Sequence, residues 1–263
     1  DNAVLYRMNA QSHQIEQAVK RNGIPYKIFG GTGFFDRAEI KDMLAYLCVI
    51  ASPDDDLRLG RIINNPPRGI GAKSIETAAA IAHENNCSLF SVISKADLYP
   101  DLSRAAPRML LFAGMINELI AQKDELAPDL LYDQLVEKSG YLSALERKNT
   151  TEDTVRAENV KELKTSIINY KNETSEPTLE GYLADVALYT DMDNYEKDDD
   201  CVVMMTMHAA KGLEFPNVYL AGMEDGLFPS YMSITSDDAT SEIEEERRLA
   251  YVGITRAKEH LTI

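Results

Sequence analysis

The sequence predicts an α/β domain interrupted by a large helical insertion, and three observations carry that expectation. Val202-Val203-Met204-Met205-Thr206-Met207 is apolar on both faces, as a parallel strand buried between helix layers would be. Between Arg37 and about Tyr189 the apolar residues instead keep a 3.6-residue period. A glycine-rich turn, Gly30-Gly31-Thr32-Gly33, and an acidic stretch, Asp191 to Asp200, bracket the helical part. These boundaries assign 1–29 and 199–263 to a discontinuous α/β domain and 30–198 to the insertion.

In chain order, residues 3–6 read as a short strand, Ser12 to Asn22 as a helix closed by Gly23, and Tyr26 to Phe29 as a second strand. The turn at 30–33 is flexible enough to serve as a hinge. Within the insertion, Met109, Phe112, Ala113, Ile116, Leu119 and Ile120 form one stripe, and Val160, Leu163, Ile167 and Ile168 another. Both are expected to be helix-bundle core. Pro107 suits a first helical turn, and Gly140 stops a helix over Leu130 to Ser139. After the acidic linker and the buried strand, a turn from Ala209 to Pro216 leads to a strand over Val218 to Ala221. Glu244 to Lys258 reads as one helix, on which Leu249, Val252 and Arg256 share a face. An arginine on an apolar face requires an anion, either a carboxylate of this acidic chain or a ligand phosphate. The chain opens without an initiator methionine and stops at Leu261-Thr262-Ile263 inside strand-like sequence, so it reads as a piece of a longer protein.

Composition narrows the function classes. The hydrophobic fraction of 44% and charged fraction of 27% are those of a globular protein, and no apolar run reaches the roughly 20 residues that span a bilayer. Cys48, Cys87 and Cys201 are scattered, which predicts reduced thiols in a cytoplasmic protein. His83 and Cys87 lack a second ligand pair, so no metal site is expected there. The net charge of −16 argues against bulk attraction to nucleic acid, and any such contact must be local. One segment supplies the means: Arg58 to Lys73 carries Arg58, Arg61, Arg68 and Lys73 and no carboxylate.

Gly69-Ile70-Gly71-Ala72-Lys73-Ser74 superficially suggests a phosphate-binding P-loop, but Ala72 stands where GxxxxGK[ST] needs glycine, and no other segment matches. Ile62 to Ala82 reads instead as two helices joined by a glycine turn, Pro67 to Gly71. In such a helix-hairpin-helix, backbone N–H groups at Gly69 and Gly71, with Arg68 and Lys73 beside them, can hold a DNA phosphate without reading sequence. His208, Lys211 and Glu214 follow the buried strand, and the carboxyl edge of an open α/β sheet is where ligands bind.

Thr206 to Phe215, Gly222 to Pro229 and Glu244 to Lys258 resemble the fifth and sixth motifs of superfamily 1 DNA helicases, nearest to the UvrD/PcrA/Rep group. Tyr6 to Ser12 and Gly30 to Arg37 resemble segments of the same family in the same order, so the likeness runs end to end. It implies a RecA-like second motor domain (2A), incomplete here, carrying a mobile all-α domain 2B whose glycine hairpins touch duplex DNA. Arg256 resembles the arginine finger that reaches the ATP γ-phosphate. Glu214, with Gly212 in the same segment, resembles the site for the nucleotide ribose. Arg7, Asn9 and His208 match positions that track single-stranded DNA. The intact enzyme would use ATP and Mg²⁺. The family's P-loop, Mg²⁺-binding Asp-Glu pair and an earlier arginine precede residue 1, so the fragment alone is expected to bind no cofactor and to be inactive as an ATPase. The expected partners are single-stranded and duplex DNA, the N-terminal motor domain, and repair or transcription proteins, with no membrane. The rival expectation is that the insertion is a protein-interaction or autoregulatory module of a helicase or helicase–nuclease.

Overall fold

The computed structural model describes residues 1–29, 33–148, 150–192, 200–236 and 238–263. Residues 30–32 of the expected hinge at 30–33, and most of the acidic linker, lie outside them. The chain divides into two compact units, one of Asp1–Asp36 with Asn194–Ile263 and one of Arg37–Asp193.

The first unit is built on a five-stranded sheet: β1 (Asn2–Tyr6), β2 (Tyr26–Ile28), β3 (Val202–Thr206), β4 (Phe215–Leu220) and β5 (Ala257–Thr262), with α1 (Ser12–Arg21) between β1 and β2. Their order is β2-β3-β1-β4-β5 and every neighbouring pair is parallel. Leu5 lies opposite Met205 on one side and Leu220 on the other. These residues join Ala3, Met207, Ala210, Val218, Phe228 and Leu249 in one core, which is why the strand sequences are apolar throughout. With β3 on one side of β1 and β4 on the other, the chain changes direction across β1, a topological switch point.

Two sequence expectations are corrected here. The helix expected over Glu244–Lys258 starts earlier and stops sooner, at Ala239–Ile254, and β5 begins at Ala257. Gly253 explains the close approach that precedes the stop. A Cβ there would lie 3.2 Å from Leu220 Cδ2 and 3.3 Å from Met207 Sδ, a tight fit that a glycine relieves where the last turn meets the sheet. The chain must then turn so that Ala257 pairs with Phe215. The strand expected from Val218 starts at Phe215, because a register shift between Phe215 and Asn217 accommodates Pro216, which has no N–H to donate.

Every regular element described in the second unit is helical. After α2 (Ala38–Ala51) come α3 (Asp56–Ile62), α4 (Ala72–Glu84), α5 (Leu89–Ile93), α6 (Ala106–Gln122), α7 (Pro128–Ser139), α8 (Tyr141–Lys148), α9 (Thr151–Glu173) and α10 (Leu179–Met192). The first unit adds α11 (Tyr231–Thr235) and α12 (Ala239–Ile254). Helix α2 is apolar almost all round, buries Ile40, Met43, Tyr46, Leu47 and Ile50 completely, and packs against α3, α6, α9 and α10. Met109, Phe112, Ala113, Ile116 and Leu119 are buried as their period predicts, and so are Val160, Leu163 and Ile167. Ile120 and Ile168 sit at the margins of those stripes. Gly140 ends α7 at φ 67°, a left-handed position that favours glycine. Among the described residues no helix is long and apolar enough to cross a membrane.

Candidate functional site

The sequence-predicted residues of the sheet unit fall into two clusters on opposite edges. Arg7 follows β1 and His208 follows β3, so both stand at the carboxyl edge of the sheet. Arg7 Nε reaches both carboxylate oxygens of Glu246 at 3.0 Å, and its Nη2 donates to Oε1 at 2.8 Å. Glu246 is only 6% exposed and also accepts from Ser233 Oγ at 3.4 Å. The backbone around Arg7 is fixed as well: Gln11 Oε1 accepts from the N–H of Arg7 at 3.0 Å and of Met8 at 2.9 Å. Gly222, at φ 73°, makes room for that glutamine, since a Cβ there would collide with Gln11 Nε2. Asn9 begins the short 3₁₀ turn Asn9–Gln11 in the same loop. Partial burial first, and the Arg7 charge second, lower the His208 pKa below its ordinary value, while Glu246 and Glu245 pull the other way. His208 is therefore neutral at physiological pH.

Glu214 does not share that edge, which corrects the expectation of a single polar group beyond β3. It immediately precedes β4, and Arg256 immediately precedes β5, so both lie at the amino edge. The loop from Met207 to Glu214 runs the depth of the sheet between the two. Arg256 finds no carboxylate partner among the described residues. Its Nε donates to Val252 O, its Nη1 to Leu213 O and its Nη2 to Thr255 Oγ1, each at 2.9 Å. It thereby caps the carbonyl end of α12 and ties the loop to it. A guanidinium has five N–H donors, so two remain beyond these three bonds. Gly212, at φ 85°, turns the loop, and Glu214 lies 3.5 Å from Lys258 Nζ with more than half of its side chain exposed. Arg256, Gly212 and Glu214 are thus brought together.

In the helical unit the expected hairpin has a longer connection than its sequence implies. Helix α3 ends at Ile62, where the first helix was expected to begin, and α4 begins at Ala72. Gly69 has φ 70°, and Gly71 precedes the first turn of α4 in an extended conformation with no side-chain cap. The first N–H groups of α4 therefore lack intrahelical acceptors, with exposed Lys73 beside them. Arg68, by contrast, is turned inward. Its Nη1 donates to Ile62 O at 3.0 Å and its Nη2 to Tyr46 Oη at 2.7 Å and Ser139 O at 3.2 Å, and its guanidinium lies over Phe112 at 5.0 Å. It braces the turn. Another arginine takes the outer position: exposed Arg108 of α6 donates to Gly69 O at 3.2 Å.

Sequence reasoning missed Glu246, Gln11 and Arg108. Glu246 stood among six acidic residues with nothing to distinguish it, although its place three before Leu249 put it on the buried face of α12. Arg108 meets the turn across 39 residues, and no local signal reports such a contact. Among the described residues no group of three or more His, Cys, Asp or Glu side chains could hold a metal ion.

A family model described as the UvrD-like helicase C-terminal domain matches residues 1–263. The ATP-dependent DNA helicase PcrA of Bacillus subtilis (strain 168) is 42% identical over 267 residues, covering 99% of this chain and 36% of its own length. The proteins of the same name from Staphylococcus aureus (strain Mu50) and Staphylococcus epidermidis are each 42% identical as well, over 265 and 263 residues. The chain spans 36% of the length of these curated relatives.

Proposed function

This chain belongs to the UvrD-like helicase C-terminal domain family, and on that premise we propose that it is the C-terminal part of an ATP-dependent 3′→5′ DNA helicase. The sheet unit is its RecA-like domain 2A and the helical unit its domain 2B. The observation that carries this reading is Arg256, whose guanidinium is held by three bonds and retains two N–H donors. ATP, bound between this domain and the P-loop domain of the intact enzyme, supplies the phosphoanhydride whose cleavage drives movement. Arg256 stabilises charge on the transferring phosphoryl group, and its anchoring to Val252 and Leu213 removes the cost of orienting it in the transition state. Glu214 accepts a ribose hydroxyl, and Gly212 gives the loop the turn that places it. Among the described residues no group of side chains could hold Mg²⁺, and on this reading the other motor domain would supply its ligands.

Single-stranded DNA runs over the carboxyl edge. Arg7 meets phosphate with the N–H groups that Glu246 leaves, Asn9 adds an amide, and neutral His208 contributes a hydrogen bond without charge. Duplex DNA is held at the turn of the helical unit by backbone N–H groups at Gly69 and Gly71, by Lys73 and by Arg108, with Arg68 supporting the turn from within. The test is direct. The chain alone should hydrolyse no ATP. In the enzyme carrying the P-loop domain, Arg256→Ala should lower kcat about 10³-fold or more with DNA affinity retained. ATP hydrolysis by the isolated chain that Arg256→Ala abolishes would overturn the proposal.

A second reading rests on a separate observation: Leu57, Leu98 and Leu111 of the helical unit are 87%, 70% and 76% exposed. On that reading the unit docks a protein partner and the glycine turn is only a connection. Duplex affinity unaffected by Lys73→Glu, together with loss of a protein contact on Leu111→Asp, would favour it.

A further inference from the structure

We propose that Asp42 and Tyr46, one turn apart on α2, are positioning residues that hold the 63–71 turn in the shape that grips duplex phosphate. The inference rests on the duplex-binding reading above and deepens it. Asp42 is 5% exposed, and its carboxylate is a junction of three elements. It accepts from Arg61 Nε of α3 at 2.6 Å, from Asn65 Nδ2 in the turn at 2.5 Å and from the Tyr141 hydroxyl of α8 at 2.6 Å. Tyr46 is fully buried; its hydroxyl donates to Asn65 O at 2.7 Å and receives Arg68 Nη2 at 2.7 Å. Asn65 is therefore held by its side chain to Asp42 and by its carbonyl to Tyr46. Arg68 is seated by the same tyrosine. The turn closes on itself through Asn64, whose Oδ1 accepts from Arg68 N at 2.8 Å and whose Nδ2 donates to Ile70 O at 3.0 Å.

A nine-residue connection with two glycines has many conformations available in isolation, and presenting backbone N–H groups to a phosphate requires one of them. A turn already held in that conformation spares the ordering cost at binding. Neither Asp42 nor Tyr46 would touch DNA, being buried beneath the turn. They act through Asn65 and Arg68.

The experiment measures duplex and single-strand affinity of the chain by fluorescence anisotropy from 20 to about 200 mM salt. Tyr46→Phe and Asp42→Asn should each weaken duplex binding about tenfold, make the plot of log affinity against log salt shallower by about one, and leave single-strand affinity unchanged. Each combined with Lys73→Gln should cost less than the sum of the single effects, because all act on one phosphate contact. Tyr182→Phe, which removes a buried bond to Ser166 Oγ away from the turn, is the control and should leave duplex affinity intact. Should Asp42→Asn unfold the unit, Tyr46→Phe carries the test. Parent duplex binding that Lys73→Gln weakens but Tyr46→Phe does not would overturn the inference alone. Additive double variants, or an equal loss in Tyr182→Phe, would also overturn it by reducing the effect to stability. Absence of any duplex binding in the parent chain would overturn both the inference and the reading beneath it.

Discussion

At the scale of single residues, the side chains that matter are each fixed by at least one partner distant in sequence, Arg7 by Glu246, Arg256 by Leu213 and Arg68 by Tyr46. Glu246 illustrates the energetic consequence. Glu246→Ala strips a partly buried arginine of its carboxylate and should cost about 3 kcal/mol, measured by chemical denaturation, and loosen the loop that carries Asn9. Glu246→Gln keeps two hydrogen bonds and should cost less. Arg108→Ala should weaken duplex binding and reduce its salt slope by about one while leaving stability within about 0.5 kcal/mol. In the sequence, Arg256 was marked by its place on an apolar helix face and His208 by its place after a buried strand, whereas Arg7 was marked by the helicase resemblance alone. The sequence could not reveal what holds them. An arginine facing apolar residues called for an anion; among the described residues no carboxylate meets it, and peptide carbonyls and Thr255 hold it while two N–H groups remain.

Elements were legible where the signal is chemical and local. Gly23 and Gly140 close their helices at positive φ, Pro107 opens α6, and the apolar stripes of α6 and α9 are core. Boundaries set by packing were not: the end of α12 and the start of β4 answer to the sheet. Gly253→Ala should therefore destabilise the sheet unit by about 1–3 kcal/mol despite alanine's better helix propensity, which thermal unfolding would register. In the helical unit, burial pushes the Tyr46 phenol up to about 12, only partly offset by Arg68, and raises Tyr132, Tyr141 and Tyr182 as well. The folded unit thus favours the protonated phenols, whereas unfolded tyrosines ionise near 10. Stability from Tyr46 is intact below pH 10 and is lost as pH rises through about 12, and that from the other three tyrosines is lost at higher pH still. A pH series of denaturation midpoints should fall across that window, and Tyr46→Phe should flatten part of the fall.

Across the whole molecule, a chain of net charge −16 can meet DNA only through local basic groups. Its binding should be weak at physiological salt and strengthen steeply as salt is lowered, which a titration between 50 and 200 mM would show. The change in hydrophobic period was the sequence signal for a two-part chain, since a parallel strand and a helix bury their side chains at different intervals, but it did not give the bounds of the two compact units. The separation of the Arg7 and Arg256 clusters onto opposite sheet edges was not, because it depends on where each strand begins. Helix α12 crosses that separation as one unbroken rod, with about 12 Å of helix between Glu246, clamped to Arg7, and its last residue, Ile254. A rod of this length does not bend appreciably, and Gly253 lets it approach the side chains of Leu220 and Met207 closely, with no side chain of its own between. A tilt imposed at the arginine end must therefore reappear, reversed in sense about that fulcrum, at the glutamate end.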